Sequence, residues 1–225
     1  MRTEKKNAAV NRISMSLRLR GKIFIKISVL AFLLLASYLT SSAQISFGVK
    51  GGLNINYLIQ RYEGRISETS QQSGYGFHLG AYSNIPFSKK FSVRPELQFS
   101  RRSSDYFFKL SYLELPLLVS YFPIKWIGID LGPNLGYLLS YDTNNAFFND
   151  DFKNFDFGLT GGLHFNLPKG FSVVTRYYFG LTSIRTIDLT NAYQCVNCDP
   201  VFQQGNLILD EYNRTIQFSI GYKIK

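Results

Sequence analysis

The sequence predicts an all-β fold: a transmembrane, eight-stranded antiparallel up-and-down β-barrel, preceded by a cleaved signal peptide. Three observations predict it. Eight segments alternate apolar and polar residues with the period of two that a strand imposes. On each the apolar side is nearly unbroken, and on most it reaches the roughly 9–11 residues with which a tilted strand crosses a bilayer. Short connections also alternate with long polar ones, the arrangement of barrels with short turns on one side of the membrane and loops on the other.

The segment 110–139 carries the pattern most clearly, as two strands joined by a turn at Pro123-Ile124-Lys125. Leu113, Leu115, Leu117, Val119, Tyr121, Ile127, Ile129, Leu131, Leu135, Tyr137 and Leu139 form one face; Tyr112, Glu114, Ser120, Gly128, Asp130, Gly132, Asn134, Gly136 and Ser140 form the other, with Leu118 and Phe122 as exceptions. The remaining strands are read at 45–58, 74–85, 91–100, 155–165, 171–181 and 216–224. In strands one to seven every apolar face is odd-numbered, so facing residues in each hairpin sum to an even number and the short turns hold an odd count. Residues 86–90, 123–125 and 168–170 satisfy this, and Pro168-Lys169-Gly170 suits a type I turn followed by a left-handed glycine. The longer connections are 60–73, 101–109, 142–153 and 186–213. Pro95, Pro116 and Pro133 fall inside strands, where each removes a ladder hydrogen bond, so bulges or strand ends are expected there. A soluble sandwich would explain the alternation but not an apolar band on all eight strands.

The chain carries a formal charge of +10, with 45% hydrophobic and 16% aromatic residues. The charge is an N-terminal property. Eight of the 25 Lys and Arg but only one of the 15 Asp and Glu precede Ile27, so removal of residues 1–43 leaves 17 basic and 14 acidic residues, a net +3. That removes the main argument for a nucleic-acid partner. The same region has the parts of a secretory signal: a basic stretch, an apolar run from Ile27 to Leu39, and Ser41-Ser42-Ala43 before Gln44. The run is short of the roughly 20 residues of a spanning helix. Cleavage after Ala43 leaves residues 44–225 as one barrel domain. Met15 is an alternative start, since a sufficient basic region follows it, and no cysteine follows the apolar run to anchor a lipid.

FGVKGGLNIN (47–56), YLELPLLVSY (112–121), GIDLGPNLGYLLS (128–140) and IQFSIGYKIK (216–225) together resemble the PorT-like outer-membrane β-barrel family of Bacteroidota. The resemblance implies an exported single barrel in the outer membrane of a Gram-negative bacterium. Its partners would be outer-membrane lipid, the barrel-assembly machinery during insertion, and an envelope protein or extracellular ligand. The namesake's association with type IX secretion makes a component of a secretion or envelope assembly the competing reading. Many outer-membrane barrels end on Phe; here Tyr222 and Ile224 would serve the assembly machinery.

The inward face carries Lys50, Arg94, Glu96, Glu114, Asp130, Asp156, Arg176 and Lys223, four basic and four acidic. Eight strands leave an interior of side-chain width. Charges of balanced sign in so narrow a space predict a salt-bridged plug rather than a pore, with inward glycines making room and Arg176 opposite Gly162. His78 and His164 also point inward without further ligands at metal-site spacing, so neither a metal nor another cofactor is expected. No grouping of His, Ser and carboxylate at the outer rim suggests a lipid-modifying enzyme, so no catalytic residue is assigned. Cys195 and Cys198, in the longest connection, would form a local disulfide in an oxidising compartment, with little stabilisation from so short a span. The reading is a non-enzymatic barrel whose surface loops bind a ligand or an envelope component, ahead of a small pore.

Overall fold

A computed structural model describes residues 45–62, 65–66, 73–104, 108–143, 152–188 and 208–224. Residues 1–43, read as a signal peptide, and Cys195 and Cys198, read as a disulfide, lie outside the described residues. The strands are β1 (Ser46–Tyr62), β2 (Arg65–Ile66), β3 (Ser73–Pro86), β4 (Phe91–Ser104), β5 (Phe108–Ile124), β6 (Ile127–Thr143), β7 (Phe155–Asn166), β8 (Phe171–Gly180), β9 (Arg185–Asp188) and β10 (Ile208–Lys223). Eight of them, β1, β3 to β8 and β10, pair antiparallel in chain order, and β1 pairs β10 from Gly48↔Lys223 to Tyr62↔Leu209. That last ladder closes the sheet into a barrel. Closure pairs both edges of every barrel strand, which lipid demands because it offers no partner to a free N–H or C=O. The short β2 and β9 extend the sheet beside β1 and β10 at the long-loop end.

The apolar alternation produces an inside-out arrangement. Leu53, Leu79, Leu131 and Ile220 are each more than 60% exposed, whereas Glu114, Ser120 and His164 are completely buried. A lipid-facing wall reverses the usual sorting because the hydrocarbon is outside and the polar groups find partners only within.

Several strands run further than the alternation suggests. β4 continues to Ser104 and β5 begins at Phe108, so the connection read at 101–109 shrinks to three residues, 105–107. β10 begins at Ile208, well before residue 216, and β9 takes part of the preceding connection. The added stretches of β4 and β10 carry polar residues such as Arg101, Arg102, Ser103, Asp210, Glu211 and Asn213, which read as loop. The inward residues Leu58, Phe108, Leu110 and Leu138 at this end are apolar and break the polar-inside rule. They pack with Tyr112, Phe152 and Ile184 into one buried cluster that fills the long-loop end of the lumen.

The β5–β6 turn also differs. Ile124 pairs with Ile127 across a tight turn at Lys125-Trp126, and a register shift between Tyr121 and Ile124 places a bulge at Phe122-Pro123. The bulge supplies the odd residue that parity requires while the turn itself holds two. A second shift brings Ser111 opposite Ser140 and Tyr112 opposite Leu138, leaving Leu139 as the extra residue. Ser140 therefore shares the outward face of Ser111 instead of lining the lumen. At Pro168–Gly170 both Lys169 (φ 61) and Gly170 (φ 83) are left-handed, so the turn is not type I plus one left-handed glycine.

The three strand prolines cause neither bulges nor strand ends. Tyr82 pairs Glu96 and Ile85 pairs Val93, with the pairing opposite Pro95 skipped and the register unchanged. The same interruption faces Pro116 on the β4 side and Pro133 on the β5 side. Each proline withholds its missing N–H from the preceding strand and keeps its pairing to the following one, with Leu117 opposite Pro95, Asn134 opposite Pro116 and Leu159 opposite Pro133.

Candidate functional site

Among the described residues the lumen is where the fold concentrates chemistry, and its charges fall into two groups. Nearer the short-turn end, Glu96 receives Lys50 Nζ at 2.5 Å and both Nη atoms of Arg176 at 2.7 and 2.9 Å. Arg176 Nη2 also donates to Asp130 Oδ2 at 2.8 Å, while Ser120 Oγ (2.6 Å) and His164 Nδ1 (3.1 Å) donate to Asp130 Oδ1. Arg94 stands 3.9 Å from Asp130. Nearer the long loops, Arg102 bridges two carboxylates, donating to Glu114 Oε1 at 2.6 Å and Asp156 Oδ2 at 3.0 Å. Asn134 and Gln98 donate to the other Glu114 oxygen, and Asn213 donates to Asp156 at 2.7 Å. Bidentate and charge-assisted bonds of this kind are the strong ones, and each buried carboxylate has several.

Two substitutions in membership follow. Arg102, which lies in the stretch read as a loop, is buried in the network between the rings of Tyr112 and Tyr178, 5.0 and 4.6 Å from its Cζ. Even-numbered continuation from Arg94, Glu96, Gln98 and Ser100 was the signal for it. Lys223, read as a network member, is exposed at the short-turn mouth and forms no ion pair there among the described residues, because β10 ends at that residue. A further pair, Arg185 and Glu211 at 2.9 Å with Gln60 on the second carboxylate oxygen, lies above the network beside Phe108 and Phe152.

Small residues make this density possible. Gly162 faces Arg176, and a Cβ there would stand 2.7 Å from Arg176 Cγ and 2.2 Å from the Thr175 carbonyl oxygen. Gly128 faces His164, whose ring would lie 2.4 Å from a Cβ. In a barrel of this width a glycine on one strand is the space for a long side chain on its neighbour.

The histidines serve separate roles. His78 Nδ1 donates to Asn54 Oδ1 at 2.7 Å, and its Nε2 accepts from Ser219 Oγ at 2.7 Å, which suits a neutral ring. His164 stacks edge-on to Phe122, with ring centroids 5.0 Å apart. Ser120, Asp130 and His164 are a serine, an aspartate and a histidine in contact, but the carboxylate sits between the other two. A serine nucleophile needs the imidazole on its hydroxyl to take the proton, whereas here Ser120 donates to the Asp130 carboxylate and His164 contacts that carboxylate instead of the hydroxyl. The arrangement therefore holds charge in place rather than activating a nucleophile.

Among solved structures, the chain is similar to the outer membrane protein OprG from Pseudomonas aeruginosa, at 15% identity and a TM-score of 0.46, over 80% of this chain and 95% of that one. It is similar to Neisserial surface protein A at 10% identity and 0.45, covering 78% and 96%, and to Ail of Yersinia pestis at 11% and 0.40, covering 80% and 98%. Comparison with curated proteins finds no match. Residues 36–185 match the family described as outer membrane protein beta-barrel domain. With that match spanning most of the chain and a closed eight-stranded barrel beneath it, the protein belongs to the outer membrane protein β-barrel domain family.

Proposed function

We propose that this protein is a closed, non-enzymatic outer-membrane barrel that acts through its long-loop end, by holding an extracellular ligand or another envelope protein. One observation carries the reading: the lumen is occupied from its middle to its long-loop end, by paired charges and then by the Leu58, Phe108, Leu110, Tyr112, Leu138, Phe152 and Ile184 cluster. A channel would spend its interior on water, and an enzyme would leave a nucleophile or acid reachable. With the interior committed to packing, the surface remains for recognition, and loops on a rigid scaffold are where binding residues concentrate. The resemblance to PorT-like barrels supports an envelope assembly as one such partner.

The test is affinity capture from detergent-solubilised membranes, with the intact protein and with a variant in which residues 189–207 are replaced by a short Gly/Ser linker. A stoichiometric envelope protein lost in the variant supports an assembly role. Loss of cell-surface ligand binding without such a partner supports a loop receptor. Unchanged binding in the variant rules out that loop, and a steady open conductance would replace both with solute passage.

A further inference from the structure

A cavity of about 280 Å³ opens at the short-turn end of the lumen, opposite the long loops. Its polar lining is Arg94, Lys223, Asn84, Asn166, Ser46 and Ser172, and no carboxylate among the described residues lines it. Arg94 is 6% exposed, and its Nε has no hydrogen-bond partner among the described residues. Its only ion pair among the described residues is the 3.9 Å approach to Asp130, which already accepts from Ser120, His164 and Arg176. The Tyr82 ring, 4.8 Å from Arg94 Cζ, holds the guanidinium in place without neutralising it.

The charge count of the short-turn group agrees. Lys50, Arg94 and Arg176 face two carboxylates, Glu96 and Asp130, and Lys223 adds a further positive charge at the mouth. A buried cation without a full complement of acceptors is costly, and here the uncommitted donors border open space. Asn84 accepts from Ser92 Oγ through Oδ1 at 2.8 Å, which leaves its amide hydrogens for a ligand.

We propose that this cavity binds an oxyanion group, of phosphate or carboxylate type, between the Arg94 guanidinium and the Lys223 ammonium, with Asn84 as a further donor. The forked guanidinium fits two oxygens of such a group at once. The volume is close to the lower limit for small-ligand pockets, so the anion is a small one. The site lies at the other end of the barrel from the loop surface, and either reading can fail without the other.

The experiment uses the full mature barrel, refolded in uncharged maltoside micelles and labelled with ¹⁵N-arginine. Inorganic phosphate and acetate are titrated separately against chloride at constant ionic strength, and the Arg94 Nε–H resonance is followed. A saturable shift is expected with at least one oxyanion and not with chloride. Lys223→Gln weakens that affinity by about tenfold, as loss of a charge-assisted contact does, and Arg94→Gln, which removes the reporting resonance, does the same by isothermal titration calorimetry, whereas Lys89→Gln in the β3–β4 turn leaves it unchanged. If Arg94→Gln fails to fold, Lys223→Gln at the exposed mouth decides the matter through the same arginine signal. Response to phosphate alone assigns a phosphate-type ligand, to acetate alone a carboxylate, and to both an unselective oxyanion site. No saturable response to either, an equal response to chloride, or full binding by Lys223→Gln overturns the proposal.

Discussion

Arg176 joins the two carboxylates of the short-turn group, gripping Glu96 with both Nη atoms and Asp130 with one of them. Its truncation would leave Lys50 alone on Glu96 and Arg94 at 3.9 Å as the remaining cation for Asp130. Removing one partner of a buried ion pair costs about 3–5 kcal/mol, and Arg176→Ala and Glu114→Ala are each expected to fall in that range. Leu117→Ala, on a side chain 50% exposed to the lipid face, trims only a few methylene equivalents and should cost at most about 2 kcal/mol. Denaturant unfolding of the three variants in lipid micelles checks the order, and equal losses would mean that the lumen charges do not hold the barrel. At this scale the inward placement of Lys50, Arg94, Glu96, Glu114, Asp130, Asp156 and Arg176 was legible, because parity alone decides which face a strand residue takes. Arg102 continues the same even-numbered series but was missed, since it precedes Ser103, Ser104 and Asp105 and the stretch reads as loop. The pairings were not legible: the contact from Arg176 on β8 to Glu96 on β4 crosses the lumen and depends on the stagger of the whole sheet, to which a local pattern is blind.

The hairpins explain why connection lengths were harder to read than faces. Face assignment needs only a period of two, and it survives the pairing gaps at Pro95, Pro116 and Pro133 because none of them shifts the register. Strand ends depend on where pairing stops. Polar residues such as Arg101, Arg102 and Ser103 still pair with β5, so β4 and β5 rise as a hairpin with only 105–107 between them. This alters the expected protease map. On intact cells, protease should cut first within 189–207 and next within 144–151, and should spare 105–107 because a connection of three residues is too short to fill a protease cleft. Lys89-Lys90 and Lys169 should be protected until the membrane is breached, since outer-membrane barrels turn their short connections to the periplasm. Mass spectrometry of the released peptides gives the order. Cleavage at Lys169 in sealed cells would invert the topology.

At the scale of the whole molecule, the barrel reaches its place only if residues 1–43 act as an export signal. The mature protein is therefore expected to begin at Gln44 by N-terminal sequencing and to stay with the outer membrane through carbonate washing. Recovery in the soluble periplasm would contradict insertion. Once inserted, the molecule is expected to be electrically closed. Eight strands leave an interior of side-chain width, and this one is filled in layers: the ion pairs of Glu96 and Asp130, the Arg102 bridge between Glu114 and Asp156, and the apolar cluster at the long-loop end. An ion crossing from the short-turn cavity would have to displace Arg176 and then Arg102 from two carboxylates each. It would then pass a mainly apolar layer whose Arg185–Glu211 pair is already matched, so little there replaces its hydration shell, which is costly for any charge. Purified protein in planar bilayers should show no large, stable conductance. Glu114→Ala and Arg176→Ala should remain closed as well, because the apolar layer is untouched, whereas combining Arg176→Ala and Arg102→Ala with Leu110→Ser and Phe108→Ser loosens all three layers and should yield brief, small openings. A steady porin-sized conductance in the unaltered protein would refute the plug, and with it the argument that function lies on the outer surface.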